Sequence, residues 1–305
     1  MKISDYSENE LVGLLKRGDL LLDLKPFVVR ICSDIADMAH DISLMYADFY
    51  TRPVESFSDF HVSVMRESGV FNWIKPRARF FFDGRPSFIP LPESQAFAML
   101  EWGLNWCVAA HSHHYLIIHA AVVERGGRAA LLPGQPGAGK STLCAGLINR
   151  GWRLLSDELA LFDMENSLLF GMSRPVNLKN ASINVIKQFA PETVMTLPVS
   201  DTTKGTVALM RPPRDSVQLA SCGARPAWIV LPNYSAGSQP IMKEQGRAET
   251  FMLIAEQAFN YDIHGAKGFM AVGDLVGRSQ CHRLTYSHLD DAILAFDELH
   301  SGSER

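Results

Sequence analysis

Eight consecutive residues constrain this chain more than the rest of it: Gly134-Gln135-Pro136-Gly137-Ala138-Gly139-Lys140-Ser141. They follow an apolar run, Ala129-Ala130-Leu131-Leu132, and precede Ser141 to Arg150, where Leu143, Cys144, Leu147 and Ile148 fall on one helical face. The spacing is G-x-x-x-x-G-K-[ST], and the setting of strand, turn and helix is the one this spacing needs. Glycines let the backbone curl until successive N–H groups point at one spot, and the start of the helix adds partial positive charge there. Such a loop cradles phosphate. Lys140 is expected to reach the β/γ-phosphates of ATP or GTP and Ser141 to hold Mg²⁺, with the run from Gly134 through Thr142 lining the nucleotide.

The flanking segments add chemistry. Leu116 to Val123 and Ala129 to Leu132 enclose Glu124-Arg125-Gly126-Gly127-Arg128 and read as a hairpin of buried strands. With the turn near Gly126, paired positions sum to about 252, which sets His119 beside Leu132 to Gly134, at the mouth of the loop. Downstream, Gly151 suits the helix stop, and Arg153-Leu154-Leu155-Ser156 reads as a strand that ends at Asp157-Glu158. Carboxylates there emerge beside the phosphate cradle. Transfer of a phosphoryl group to a hydroxyl needs a base, a contribution of about 10² to 10⁴ in rate. Asp157 is the expected base, Glu158 the metal-side carboxylate and His119 the partner of the aspartate.

The 305 residues allow one large or two smaller domains. The expected division is an N-terminal α+β region over 1–110, a kinase domain over 111–300 and a tail over 301–305. Ser7 and Glu10 stand in capping-box spacing, and Asp83-Gly84 separates Arg79 to Phe82 from Pro86 to Ile89 as a hairpin turn. From Glu93 to Ala110 an apolar face (Ala96, Phe97, Leu100, Leu104, Cys107), broadened by Trp102 and Trp106, predicts a buried helix at the junction. Farther on, the pattern predicts a strand at Trp228 to Leu231 and a helix at Ala248 to Phe259, ended by Asn260. In that helix Phe251, Ile254, Ala255, Ala258 and Phe259 form a stripe expected to be core. A last helix opens at Ser287 and Asp290.

Composition limits the partners. A net charge of −4 offers no basic footprint, so nucleic acid is not an expected partner. The N-terminal residues do not read as a signal peptide and no window approaches 18 apolar residues, so a cytoplasmic protein without membrane association is expected. Five scattered cysteines without C-x-x-C spacing fit reduced thiols buried in the core. His111-Ser112-His113-His114 lacks a cysteine or carboxylate in zinc-site spacing, so no metal is expected there. Further cations suited to phosphate or substrate are Arg174, Lys179 and Lys204, the last in the polar run Thr203-Lys204-Gly205, with Arg211 and Arg225 behind them.

His119-Ala120, the string at 134–141 and Gly151-Trp152-Arg153-Leu154-Leu155-Ser156-Asp157-Glu158 together resemble the HPr kinase/phosphorylase family, most like its HPr-related kinase A branch. The likeness spans residues 112 to 190, with weaker echoes toward the C-terminus. It implies an α/β fold of the HPr kinase/phosphoenolpyruvate carboxykinase P-loop type, a twisted mixed sheet with flanking helices, here with the α+β region in front. It implies that Asp157 is the general base, that His119 contacts it, and that the acceptor is a serine hydroxyl on a small protein or peptide; it also implies a homo-oligomer. Glu158 stands where the family has its second aspartate. Asn177, in Arg174-Pro175-Val176-Asn177-Leu178-Lys179, stands where it tends to carry a metal-side glutamate, and Lys179 where it carries arginine. The kinase direction is therefore expected, and the reverse reaction is not inferred. A small-molecule kinase and a nucleotide-binding regulatory module without phosphotransfer are the competing readings, because the acceptor pocket depends on loops that the motif does not specify.

Overall fold

A computed structural model describes residues 1–69, 74–135 and 137–302; Pro136 of the glycine loop and residues 303–305 of the expected tail lie outside the described residues. The chain opens as its capping box dictates. Ser7 N donates to Glu10 Oε2 at 2.7 Å and Glu10 N to Ser7 Oγ at 3.3 Å, which starts α1 (Glu8–Arg17), and Gly18 in the left-handed region ends it. Then follow β1 (Leu20–Asp23), β2 (Val28–Ser33), α2 (Asp37–Met45), β3 (Tyr50–Thr51), β4 (Phe60–Arg66), β5 (Arg77–Phe82), β6 (Arg85–Pro86), β7 (Leu91–Pro92) and α3 (Ala96–His111). Among the described residues the strands make a mixed sheet in the order β3-β1-β2-β4-β5-β6, with β7 also on β5 and only β2 and β4 parallel. Asp83 and Gly84 make the expected turn, both at positive φ, but the pairing stops at Pro86 and Ile89 is exposed.

Helix α3 is buried along most of its length, and Gly103 lets it lie against β5: a Cβ there would come within 2.2 Å of the Phe80 ring. Trp106, expected to be buried, is instead 36% exposed.

The second part runs β8 (Tyr115–Arg125), β9 (Arg128–Pro133), α4 (Lys140–Ile148), β10 (Arg153–Ser156), β11 (Leu159–Asp163), β12 (Leu168–Phe170), β13 (Val176–Lys179), α5 (Ala181–Phe189), β14 (Val199–Thr202), β15 (Gly205–Met210), α6 (Arg214–Gln218), β16 (Arg225–Tyr234), β17 (Ile241–Glu244), α7 (Arg247–Gln257), α8 (Tyr261–His264), α9 (Ala266–Arg278), β18 (Gln280–Tyr286) and α10 (Leu289–Gly302). Its main sheet has the order β12-β11-β8-β9-β16-β18-β17, with β10 also on β8, and β9, β16 and β18 run parallel. The strands β13, β15 and β14 form a small antiparallel sheet.

Alternation along the central strands decides which helices go where. Ala121, Val123, Ala130, Leu132, Trp228 and Val230 meet α4, α5 and α10 on one face, while Ile118, Ala120, Val122, Leu131 and Ile229 meet α7 and α9 on the other. The chain is thus a mixed α/β structure, with mixed sheets and flanking helices. The core under the first sheet also takes in Ile117, Leu159, Leu161, Met172 and Leu209 of the second part, so apolar packing is continuous across the junction.

Three sequence expectations need amendment. The last helix carries Ser301 and Gly302, which were assigned to a tail. Cys222 is exposed, whereas Cys107, Cys144 and Cys281 are buried. The stripe after Phe251 is core only in part. Helix α7 ends at Gln257, Ala258 bridges to Ile118, and Phe259 N donates to Ile117 O at 2.8 Å, so Phe259 stays 54% exposed. Among the described residues, no helix is long and apolar enough to cross a membrane.

Candidate functional site

The hairpin of β8 and β9 turns on Gly126 and Gly127, both at positive φ, and pairs Ala120 with Pro133. That register is one position from the expected one and sets His119 opposite the start of the glycine loop. After Pro133 the chain leaves the sheet, and Gly134, Gly137 and Gly139 take φ of 148°, 89° and 92° before α4 begins at Lys140. Gly139 has a second reason to be glycine: a Cβ would stand 2.6 Å from Tyr286 Oη, which donates to Gly139 O at 3.3 Å. Lys140 is buried, its ammonium donates to Gly134 O, and burial pulls its pKa down against the opposing pull of Asp157.

A cavity of about 300 Å³ opens over this loop. Gln135, Gly137, Gly139, Lys140, Ser141 and Thr142 line it together with His119, Asp157, Glu158, Asn177 and Lys179. The residues singled out from four separate stretches of sequence therefore converge on one space.

The carboxylates arrive there by a route that the sequence did not show. Strand β10 ends at Ser156 with Asp157 and Glu158 next, as read from the sequence, but pairing then resumes at Leu159. Ser156 pairs with Val122 and Leu159 with His119, so β10 and β11 lie end to end along β8, and the two carboxylates occupy a two-residue break in the ladder. Ala120 N donates across the break to Glu158 O at 3.2 Å.

Asp157 is buried. Its Oδ2 accepts from Asn177 N at 2.9 Å, while Oδ1 has no hydrogen-bond partner among the described residues. Burial, then the neighbouring Glu158 charge, pushes its pKa up to about 6, against the Asn177 N–H and the nearby Ser141 hydroxyl. Glu158 accepts from Asn105 Nδ2 of α3 and lies 3.9 Å from Lys179 Nζ.

The remaining candidates divide. His119 lines the same cavity as Asp157, and its ring feels the Gln257 side chain and the charges of Lys140, Glu158 and Lys179. Burial and the two lysines lower its pKa, so the imidazole is neutral near pH 7. Lys204, in the turn between β14 and β15, stands 5.0 Å from the Trp102 ring centroid and lines a neighbouring cavity with Lys179. Arg174 does not line the phosphate-side cavity but a smaller one beside it, to which Asp157, Glu158 and Asn177 also belong. It is buried against α3, where Nη1 donates to Glu101 Oε2 at 2.8 Å and Nη2 to Asn105 Oδ1, and Glu101 also accepts from Tyr46 Oη. Arg211 pairs with Asp48 at 2.5 Å and is likewise committed elsewhere.

Sequence reasoning passed over Glu101 and Asn105, which tie the first part of the chain to Arg174 and Glu158. The signal was present: they are polar residues four apart on a helix whose other faces are almost wholly apolar. Among the described residues no group of three or more His, Cys, Asp or Glu side chains is arranged to hold a metal by itself. Around the histidine cluster, His111 stacks on Phe82 with ring centroids 4.7 Å apart, and His114 packs on Phe27 and Tyr115.

No protein-family model matches this chain, and no curated protein matches it. Among solved structures the HPr(Ser) kinase/phosphatase from Coxiella burnetii aligns at 11% identity over 61% of this chain and 98% of that one, with a TM-score of 0.26. An overlap that low carries no argument, so the chemistry rests on the residues of this chain alone.

Proposed function

We propose that the chain is a P-loop phosphotransferase that moves the γ-phosphate of ATP or GTP to a hydroxyl, with Asp157 as general base. The observation that supports this most is the unpartnered Asp157 Oδ1, buried in the same cavity as the glycine loop, Lys140 and Ser141. A buried carboxylate oxygen without a partner is costly unless a ligand or proton completes it.

On this reading the loop amides and Lys140 hold the donor phosphates, and Lys179 and Lys204 meet the transferred group. The acceptor oxygen attacks Pγ, its proton passes to Asp157 Oδ1, and the bond from Pγ to the bridging β,γ oxygen breaks with its electron pair staying on the diphosphate. A pKa of about 6 leaves Asp157 ionised near neutrality yet a better base than an exposed carboxylate.

The donor set also fits Mg²⁺: Ser141 and Glu158 are hard oxygen ligands around one space, and the buried Asn177 Oδ1 there lacks a partner among the described residues. When bound, Mg²⁺ neutralises phosphate charge and fixes the orientation of the phosphates. The acceptor class is a serine of a small protein or peptide, or a small-molecule hydroxyl.

The test is transfer from γ-labelled ATP with Mg²⁺ into a soluble extract of the source cell, run beside Lys140→Ala and Asp157→Asn. Label in one acceptor, lost in Lys140→Ala and reduced about 10²-fold or more in Asp157→Asn, is expected. Transfer at the wild-type rate by Asp157→Asn would remove the base; tight nucleotide binding with no labelled acceptor would replace the enzyme with a regulatory module.

A further inference from the structure

Beside the phosphate-side cavity lies a second one of about 690 Å³, and the two share His119, Glu158 and Lys179. This places the second cavity within the size range of ligand pockets and directly behind the reacting centre. Its polar lining is Asn105, His119, Glu158, Lys179 and Lys204. Its apolar lining is Trp106, Ala109 and Ala110 from α3, Leu159 from β11, and Phe259 from the segment after α7.

The two aromatic walls are held open by their surroundings. Phe259 is 54% exposed, yet its N–H is tied to Ile117 O at 2.8 Å. The next residue, Asn260, is buried, accepting from Ile117 N at 2.9 Å and donating to Tyr115 O at 2.8 Å. Phe259 therefore presents its ring 5.9 Å from the His119 ring on a fixed backbone. Trp106 is braced by Phe82, Phe88 and His111, with ring centroids 5.5 to 5.6 Å away, and still keeps part of its surface uncovered. Between these rings Ala109 and Ala110 contribute only methyl groups, which leaves the space unfilled. Buttressed but uncovered aromatics offer large contact area at little ordering cost.

Resting on the phosphotransferase reading, we propose that this second cavity is the acceptor pocket and that it selects a hydroxyl carried beside a ring-sized apolar group. The group fills the space between Trp106 and Phe259, and its hydroxyl points through the boundary at His119 and Glu158 toward Asp157. The hydroxyl oxygen forms the new bond to Pγ, the bridging oxygen leaves with the nucleoside diphosphate, and the proton goes to Asp157. Through helix α3 the first part of the chain then takes a direct share in recognition, because that helix forms one wall of the acceptor site.

The full chain with MgATP is tested on two pairs of probes: the peptides Ac-Ala-Ser-Phe-NH₂ and Ac-Ala-Ser-Gly-NH₂, and the alcohols 2-phenylethanol and ethanol. Phosphoryl transfer is measured by label, and phenyl contact without turnover by saturation-transfer NMR. The expected result is a KM about tenfold or more lower for the phenyl member of whichever pair is used, a preference that shrinks to near unity in Trp106→Ala and in Phe259→Ala. The exposed and remote Phe57→Ser serves as the unaffected control. Transfer to the peptide pair identifies a polypeptide hydroxyl, and transfer to the alcohols a free small molecule; either supports the pocket. Phenyl saturation transfer that both variants abolish, with no labelled product, upholds the pocket and removes the phosphotransferase reading. Equal use of phenyl and non-phenyl probes, or neither transfer nor phenyl contact, overturns the proposal.

Discussion

Single residues here show how burial redirects charge. Asp41 on α2 has its pKa pushed from 3.8 up to about 6 by burial, with Asp37 adding to the shift and His40 opposing it. Between those two values the folded chain binds more protons than the unfolded one, so stability falls as pH rises through the window and the penalty is complete above it. Asp41→Asn should therefore gain about 1 to 2 kcal/mol at pH 7.5 and almost nothing near pH 4, read by denaturant melts at both. A gain independent of pH would show that Asp41 ionisation carries no such penalty. At the junction, Glu101→Ala leaves the buried Arg174 without its ion-pair partner and should cost about 3 to 5 kcal/mol, whereas Glu101→Ala with Arg174→Met should recover much of that loss. Such a pair was not legible in the sequence because its members lie 73 positions apart and neither carries a motif. The glycine loop and Asp157 were legible because a local geometric need, several backbone N–H groups curled toward one point and a carboxylate just past the next strand, leaves a local pattern.

At the scale of elements, boundaries that depend on local chemistry could be read and those set by tertiary contacts could not. The Ser7 cap and the Gly126-Gly127 turn fix their own backbones, and the structure keeps them where the sequence puts them. The resumption of the strand after Glu158 depends on β8 being long enough to pair with β10 and β11 in turn, and nothing within Arg153 to Asp163 announces that. Phe259 fitted a helical stripe, yet the chain left the helix two residues earlier to bridge to Ile118. The contact of α3 with β5 offers a direct check. Gly103→Ala puts a methyl group into the fully buried Phe80 ring and should destabilise by about 1 to 3 kcal/mol, while Gly103→Ala with Phe80→Leu should restore part of it. An unchanged melting midpoint for Gly103→Ala would mean that the helix can shift away from the strand at no cost.

For the whole molecule, the question is whether the two sheets are separable. The core beneath the first sheet includes Ile117, Leu159, Leu161 and Leu209, and Asn105 of α3 bonds Glu158 at the centre of the second part. Unfolding should therefore be a single transition: far-ultraviolet circular dichroism and tryptophan fluorescence should give one shared midpoint in urea. Two resolved transitions would divide the chain near α3. The bond from Lys140 to Gly134 O carries a last implication, for selectivity. An ammonium that already holds a carbonyl must release it before it can meet a phosphate, so an arriving anion gains by exchange and not by simple addition. Weak, singly charged ions recover little from that exchange, whereas a polyphosphate presenting several strong acceptor oxygens recovers much more. On the proposed phosphotransferase reading, the loop's own carbonyl would act as a built-in competitor that disfavours ordinary anions.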